Sequence, residues 1–154
     1  MSSRRIFITG GAGYLGSTLL EALAPSLQSG ELDALVASDV RETPEHSRLP
    51  GVEYAIHDVR SPGLVPLLTA RSIETVVHLA AIVTPGPKSN RELEYAVDVL
   101  GTRNVLQACV KARTGRVLVI SSADVYGRVT LSELPLTEDS PLRPVSPYAA
   151  SKID

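Results

Sequence analysis

The sequence has one cysteine in 154 residues, Cys109, which excludes an internal disulfide and fits a reducing compartment such as the cytoplasm. It has no block of like charge: the net charge is −2, which gives no electrostatic footprint for nucleic acid. No apolar run reaches about 18 residues, so no membrane span is expected. His46, His57 and His78 lie far apart without cysteine partners, so no metal site is expected. The opening MSSRRIFITG has neither an apolar h-region nor a cleavage site and is read as the lead into a strand rather than a signal peptide. What is present is 44% hydrophobic and 21% charged, an ordinary globular composition sufficient for one core. Cys109 lies in the helical run VLQACVKA and is expected to be buried and inert.

The most informative stretch is IFITGGAGYLG at 6–16. An apolar strand-forming run leads directly into Gly10, Gly11, Gly13 and Gly16, and the helical run LGSTLLEAL follows. Glycines in such a turn let backbone approach a ligand with no Cβ between them. The helix that follows presents free N–H groups and the positive end of its dipole, a setting for a pyrophosphate. Gly11-x-Gly13-x-x-Gly16 has the dinucleotide spacing, and Gly10-x-x-Gly13-x-x-Gly16 overlaps it.

Strands are expected at 4–9, 34–39, 52–56, 75–81 and 116–122. Helices are expected at 14–24, where Pro25 disfavours continuation, at 62–71, and at 90–113. TPGPKSN at 84–90 reads as a loop. The long helix shows an apolar stripe of Leu93, Ala96, Val97, Leu100, Gly101, Asn104 and Ala108. Gly101 within it is explained by close packing against sheet or cofactor, and Val99, Leu106 and Val110 lie off that face as an interface or as overflow. Ser146 followed by Pro147 starts a last helix. Strands alternating with helices give an α/β doubly wound parallel sheet of Rossmann type. Its ligand crevice lies at the carboxyl ends of the strands.

Several residues fall at those ends. Asp39 closes the second strand 23 positions after Gly16, where a carboxylate accepts from the adenosine ribose hydroxyls. Asp58, followed by Val59, either meets the adenine amino group while the next N–H faces a ring nitrogen, or caps the 62–71 helix. Ala80 and Ala81 end the fourth strand with small side chains that let a flat ring lie close, and His78 reads as a packed core histidine. Tyr148 and Lys152, at i and i+4 on a helix, share a face. An ammonium beside a phenol, with the positive nicotinamide ring, lowers the phenol from about 10. The phenol can then take a proton from an alcohol as hydride leaves the same carbon.

At this point the chain resembles the extended short-chain dehydrogenase/reductases, the NAD-dependent sugar epimerase/dehydratase group. The matching segments are TGGAGYLG (9–16), Asp39, Asp58-Val59, HLAA (78–81), VLGTRNVL (99–106), SSADVYG (121–127) and SPYAASK (146–152), in order along the whole chain. The resemblance implies a cofactor site built on Gly10, Gly13, Tyr14, Leu15, Gly16, Asp39, Asp58, Val59, Ala80, Ala81, Tyr148 and Lys152. It implies a catalytic set of Ser122, Tyr148 and Lys152, with Ser122 hydrogen-bonding the reacting oxygen. It implies NAD, with Asp39 disfavouring the 2′-phosphate of NADP and Arg41 softening that preference. It further implies a nucleotide-sugar substrate and a homodimer through the 90–113 helix.

Three departures qualify it. Asp98 stands where the family often carries an Asn that supports a water-mediated proton path, and an ionised Asp accepts but does not donate. Ala123 stands where sugar 4,6-dehydratases carry an acid, which disfavours elimination. Ile82-Val83-Thr84 stands where UDP-galactose 4-epimerases carry a Lys that reaches the cofactor pyrophosphate. Relatives are roughly twice as long, with two more strands and a substrate lobe. Residues 1–154 are therefore expected to be an incomplete NAD-binding domain, not self-sufficient as an enzyme. The competing reading is an NAD-binding module without turnover.

Overall fold

The computed structural model describes residues 4–83 and 90–154. Of the loop expected at 84–90, all but Asn90 lies outside the described residues, as does Thr84 of the Ile82-Val83-Thr84 departure. Strands β1 (Arg5–Thr9), β2 (Ala34–Asp39), β3 (Glu53–Ile56), β4 (Thr75–His78) and β5 (Arg116–Val119) form one parallel sheet. Its order is β3-β2-β1-β4-β5. The chain winds outward from β1 to β3, then crosses back to β4 on the other side of β1. That reversal opens a crevice at the carboxyl ends of β1 and β4.

Helices cover both faces, as the continuous apolar runs of β1, β2 and β4 require. Phe7 lies opposite Val36 and Val76, and these three pack with Leu64 and Leu68 of α2 (Leu64–Ala70) and Val105, Ala108 and Cys109 of α4 (Thr102–Ala112). Ile8, Leu35 and Ala37 point to the other face and meet Leu20 of α1 (Tyr14–Gln28). Each fully buried side chain of this kind contributes about 1.5–3 kcal/mol by leaving water. Cys109 is buried as expected.

Four boundaries differ from the sequence reading, each for a physical reason. α1 runs through Pro25 to Gln28, where Leu27, past the proline, still packs against the Ile8–Leu20–Leu35 cluster. β4 stops at His78 rather than 81, because the N–H groups of Leu79 and Ala80 turn to the side chain of Thr9, each at 3.2 Å. β5 stops at Val119 rather than 122, and residues from Ala123 to Tyr126 wind into a 3-10 turn.

The fourth difference is the long helix. It forms as α3 (Arg91–Tyr95), a π turn over Ala96–Gly101, and α4. The π turn accommodates an extra residue, which rotates the buried face. Asp98 and Val99 are therefore buried while Leu100, assigned to the apolar stripe, is exposed. Gly101 is explained as packing: a Cβ there would meet Val59 Cγ2 at 2.8 Å. The last helix, α5 (Pro147–Ser151), starts as expected, with Ser146 Oγ accepting the Ala149 N–H at 3.0 Å.

A candidate dinucleotide and acid–base site

The glycine turn joins β1 to α1 at the crevice. Gly10 has φ +71°, and a Cβ on it would lie 2.7 Å from the Ala80 nitrogen, so Ala80 and the turn touch backbone to backbone. A Cβ on Gly16 would overlap the Gly10 carbonyl, so this residue fixes how closely α1 approaches the turn. Gly13 is the N-cap of α1 and supplies no side-chain cap, and the first turn holds no acidic residue. The N–H groups of Tyr14, Leu15 and Gly16 thus open α1 with no side-chain acceptor. Tyr14 and Leu15 are exposed beside them.

Asp39 ends β2 next to this turn. Its Oδ2 accepts the Ala12 N–H at 3.1 Å, and its Oδ1 accepts the Arg41 N–H at 3.0 Å and Arg41 Nε at 3.4 Å. Arg41 Nη2 donates to the Ala12 carbonyl at 3.1 Å. Gly11, Ala12, Ser38, Asp39 and Arg41 help line a cavity of about 330 Å³. Ala12 was not singled out in the sequence, and glycine spacing draws attention away from the residue between the glycines.

Asp58 does not cap α2. The N-cap is Gly63, with no side-chain bond, and the Asp58 carboxylate instead accepts from the backbone and side chain of Arg60, at 2.5 Å to Nη2. That pairing holds Asp58 below the usual carboxylate range. The Asp–x–Arg spacing lets the two side chains meet locally, before any helix cap is reached. Val59 is buried against Gly101. Asn104 Nδ2 donates to the carbonyls of Val59 and Ser61, at 2.7 and 2.8 Å, and so ties this loop to α4. Asn104 was counted in the apolar stripe; an amide inside such a stripe is the signal of that bond.

The second half of the site lies on α5, which packs against the π turn and the 3-10 turn at Ala123–Tyr126. Lys152 Nζ stands 5.4 Å from the centre of the Tyr148 ring. Ser122 is the N-cap of the 3-10 turn, its Oγ accepting the Asp124 N–H at 3.2 Å, which leaves its own proton free to donate. Burial, and then the carboxylates of Asp98 and Asp124, push the Tyr148 phenol up in the nucleotide-free protein, whereas the lowering expected beside the nicotinamide belongs to the bound state. Burial lowers Lys152, with Asp98 opposing. His78 is buried between Thr9 and Thr102, in the core as expected, and burial followed by the Lys152 charge lowers it to about 4.

Among the described residues no cluster of three or more His, Cys, Asp or Glu could hold a metal, and no helix is long and apolar enough to cross a membrane. The structure thus brings the glycine turn, Asp39, Ala80 and Ala81 together at the strand ends, and joins Tyr148, Lys152 and Ser122 on neighbouring elements.

Known proteins are similar to this chain in sequence and in fold. UDP-glucose 4-epimerase of Dictyostelium discoideum is 30% identical over 154 residues, covering 97% of this chain and 44% of the relative. dTDP-glucose 4,6-dehydratase of an Actinoplanes species is 33% identical over 164 residues, covering 96% and 48%. The crystal structure of the Bordetella bronchiseptica enzyme WbmG in complex with NAD and UDP superposes with a TM-score of 0.81 at 32% identity, covering 98% of this chain and 47% of WbmG. The chain therefore spans about half the length of the relatives it matches. Residues 6–154, from the first buried strand to the last turn of α5, match the model of one family, and the chain belongs to it: the NAD dependent epimerase/dehydratase family.

Proposed function

We propose that this chain binds NAD across the carboxyl ends of β1, β2 and β4, and that it supplies the acid–base half of a hydride-transfer reaction on a nucleotide sugar. The observation that carries the reading is the uncapped N-terminus of α1 above a turn in which Gly10 and Gly16 have no room for a side chain. A pyrophosphate fits there: the N–H groups of Tyr14, Leu15 and Gly16 donate to it, and Gly13 leaves the approach open. Asp39, already fixed by Ala12 and Arg41, receives the adenosine ribose hydroxyls. Asp58 and the Val59 N–H serve the adenine edge. Ala80 and Ala81 leave a flat floor toward the nicotinamide end.

When bound, NAD would supply the acceptor and the donor of the hydride at the substrate carbon. The chain's own residues do the rest. Lys152 holds the nicotinamide ribose and presents positive charge to Tyr148. Tyr148 takes the hydroxyl proton at its phenolic oxygen or gives it back to a carbonyl. Ser122, with its proton free, donates to the reacting oxygen and orients it. Nucleotide sugar is the substrate class that the epimerase and dehydratase relatives support.

A second reading, NAD binding without turnover, is favoured by Asp98, which when ionised accepts but does not donate. Incubating the protein with NAD and UDP-glucose, and following reduced-cofactor absorbance, separates the two. Turnover in the parent that falls about 10²–10⁴-fold in Tyr148→Phe, at unchanged NAD affinity, supports the proposal. Wild-type turnover in Tyr148→Phe overturns the role of Tyr148. NAD binding without reduction in the parent leaves the binding module.

A further inference from the structure

Asp98 is 3% exposed, on the π turn between α3 and α4. Its Oδ1 accepts the Ile82 N–H at 2.8 Å, and its Oδ2 has no hydrogen-bond partner among the described residues. Its backbone carbonyl accepts the Thr102 hydroxyl at 2.6 Å. Main chain and side chain are thus both pinned. A carboxyl group held in this way, with an unused oxygen, is costly unless a cation answers it.

A cation shares its cavity without being in ion-pair contact with it. Asp98, Thr102 and Lys152 line one cavity of about 400 Å³ between α4, β5 and α5. Arg103 and Asp154 line it too, but both are exposed to water, whereas Lys152 is half-buried. On the helix of Asp98 itself, Arg91 and Glu94 act on its carboxyl in opposite directions and pair with each other at 3.9 Å. Burial raises Asp98 and lowers Lys152, and against burial each favours the charged form of the other; from the end of β4, His78 also feels the Lys152 charge, which together with burial lowers it. Tyr148 feels Asp98 and, from the 3-10 turn, Asp124, and both favour its neutral form.

We infer that Asp98 is the counter-charge of Lys152, a positioning residue that keeps the ammonium protonated. The importance of this arrangement rests on the proposed acid–base role of Tyr148 and Lys152. The arrangement itself is a statement about two ionisations and needs neither cofactor nor turnover.

The chain has three lysines, Lys88, Lys111 and Lys152, so carbon-13 reductive methylation gives a small set of signals, with Lys152 assigned by its loss in Lys152→Arg. In Asp98→Asn, which keeps the size and the acceptor for Ile82, the Lys152 signal is expected to titrate about 1 pH unit lower, while Lys88 and Lys111 do not move. An unchanged or raised Lys152 midpoint overturns the inference, including the case in which Asp98→Asn merely lowers the melting temperature. Because coupling is reciprocal, a second arm stands if the Asn variant fails to fold. In Lys152→Met, the carbon-13 carboxyl signal of Asp98 is expected to titrate at higher pH. An unmoved Asp98 midpoint overturns the inference. Shifted midpoints alongside wild-type turnover in Tyr148→Phe would refute the proposed function and leave this pairing intact.

Discussion

Thr9 Oγ1 and His78 Nδ1 lie 2.7 Å apart, and the groups around them decide which atom carries the proton. Thr9 Oγ1 already accepts the N–H groups of Leu79 and Ala80, so its own proton goes to Nδ1. The proton of the neutral imidazole is then on Nε2, which donates to Thr102 Oγ1 at 2.9 Å. Thr102 passes its proton to the Asp98 carbonyl at 2.6 Å. One line of donors thus fastens the end of β1, the end of β4 and the π turn, so the glycine turn and the Asp98 segment are held in common.

Neutral His78 makes stability depend on pH. The folded value, about 4, lies below the unfolded value near 6.5, so the unfolded chain takes up the proton first as pH falls. The contribution is complete above about pH 6.5 and is lost progressively down to about pH 4. A gap of roughly 2.5 pH units corresponds to about 3 kcal/mol. Burial of His57 acts in the same direction. Denaturant unfolding of the parent across this range is expected to show the loss, and His78→Asn to show a shallower slope from a lower starting stability. Equal slopes would mean that His78 is not the source.

Two glycines in the turn are expected to fail differently. Gly16→Ala puts a methyl into the Gly10 carbonyl and Gly11 Cα, and overpacking against backbone costs about 1–3 kcal/mol. A Cβ on Gly13 is 3.2 Å from the Gly10 carbonyl, which a small shift relieves. Gly13→Val should therefore unfold close to the parent temperature, yet weaken NAD binding by blocking the approach to α1. Thermal unfolding and NAD titration of both variants check this. Unchanged NAD affinity in Gly13→Val would refute the glycine-turn reading.

The sheet, its order of elements and the core histidine were legible because they depend on local pattern. The apolar run of β1 and the glycines after it, the Ser146-Pro147 helix start and the isolated Cys109 each carry their meaning within a few residues. What escaped depends on contacts across the fold. Pro25 reads as a stop until Leu27 is seen packed on the sheet. The π turn has no local signature, and without it Leu100 and Asp98 exchange places between core and surface. The Tyr148–Lys152 spacing was readable; the burial and the two carboxylates that raise the phenol in the nucleotide-free protein were not.

Asp39 and Arg41 make opposite demands on the adenosine end. The side chain of Asp39 is 10% exposed and its oxygens are committed to Ala12 and Arg41. A 2′-phosphate there would meet a carboxylate of like charge. The parent is expected to bind NAD at least about tenfold tighter than NADP, a difference of about 1.4 kcal/mol. Asp39→Ser removes the repulsion and frees the Arg41 guanidinium, so the preference should narrow or reverse. Arg41→Ala added to Asp39→Ser should take the NADP gain away again. Titrating both nucleotides against the three proteins tests this, and equal or tighter NADP binding by the parent would remove the assignment of Asp39.

β5 forms one edge of the sheet, and its apolar residues are open on both sides. Val117, Leu118 and Val119 are 43%, 49% and 40% exposed. Alternation along a strand sends Val117 and Val119 to one face and Leu118 to the other. β4, its neighbour in the sheet, buries Val76 completely, so the apolar surface stops abruptly at the edge. An exposed apolar edge strand is a template for another strand. The 154-residue chain is therefore expected to self-associate as its concentration rises. Leu118→Lys should suppress the association without lowering the melting temperature by more than a few degrees, since this side chain buries little in the folded chain. Sedimentation velocity over a concentration series measures it. A parent that stays monomeric throughout, or a Leu118→Lys variant that associates as strongly, would show that the β5 edge is not the adhesive surface.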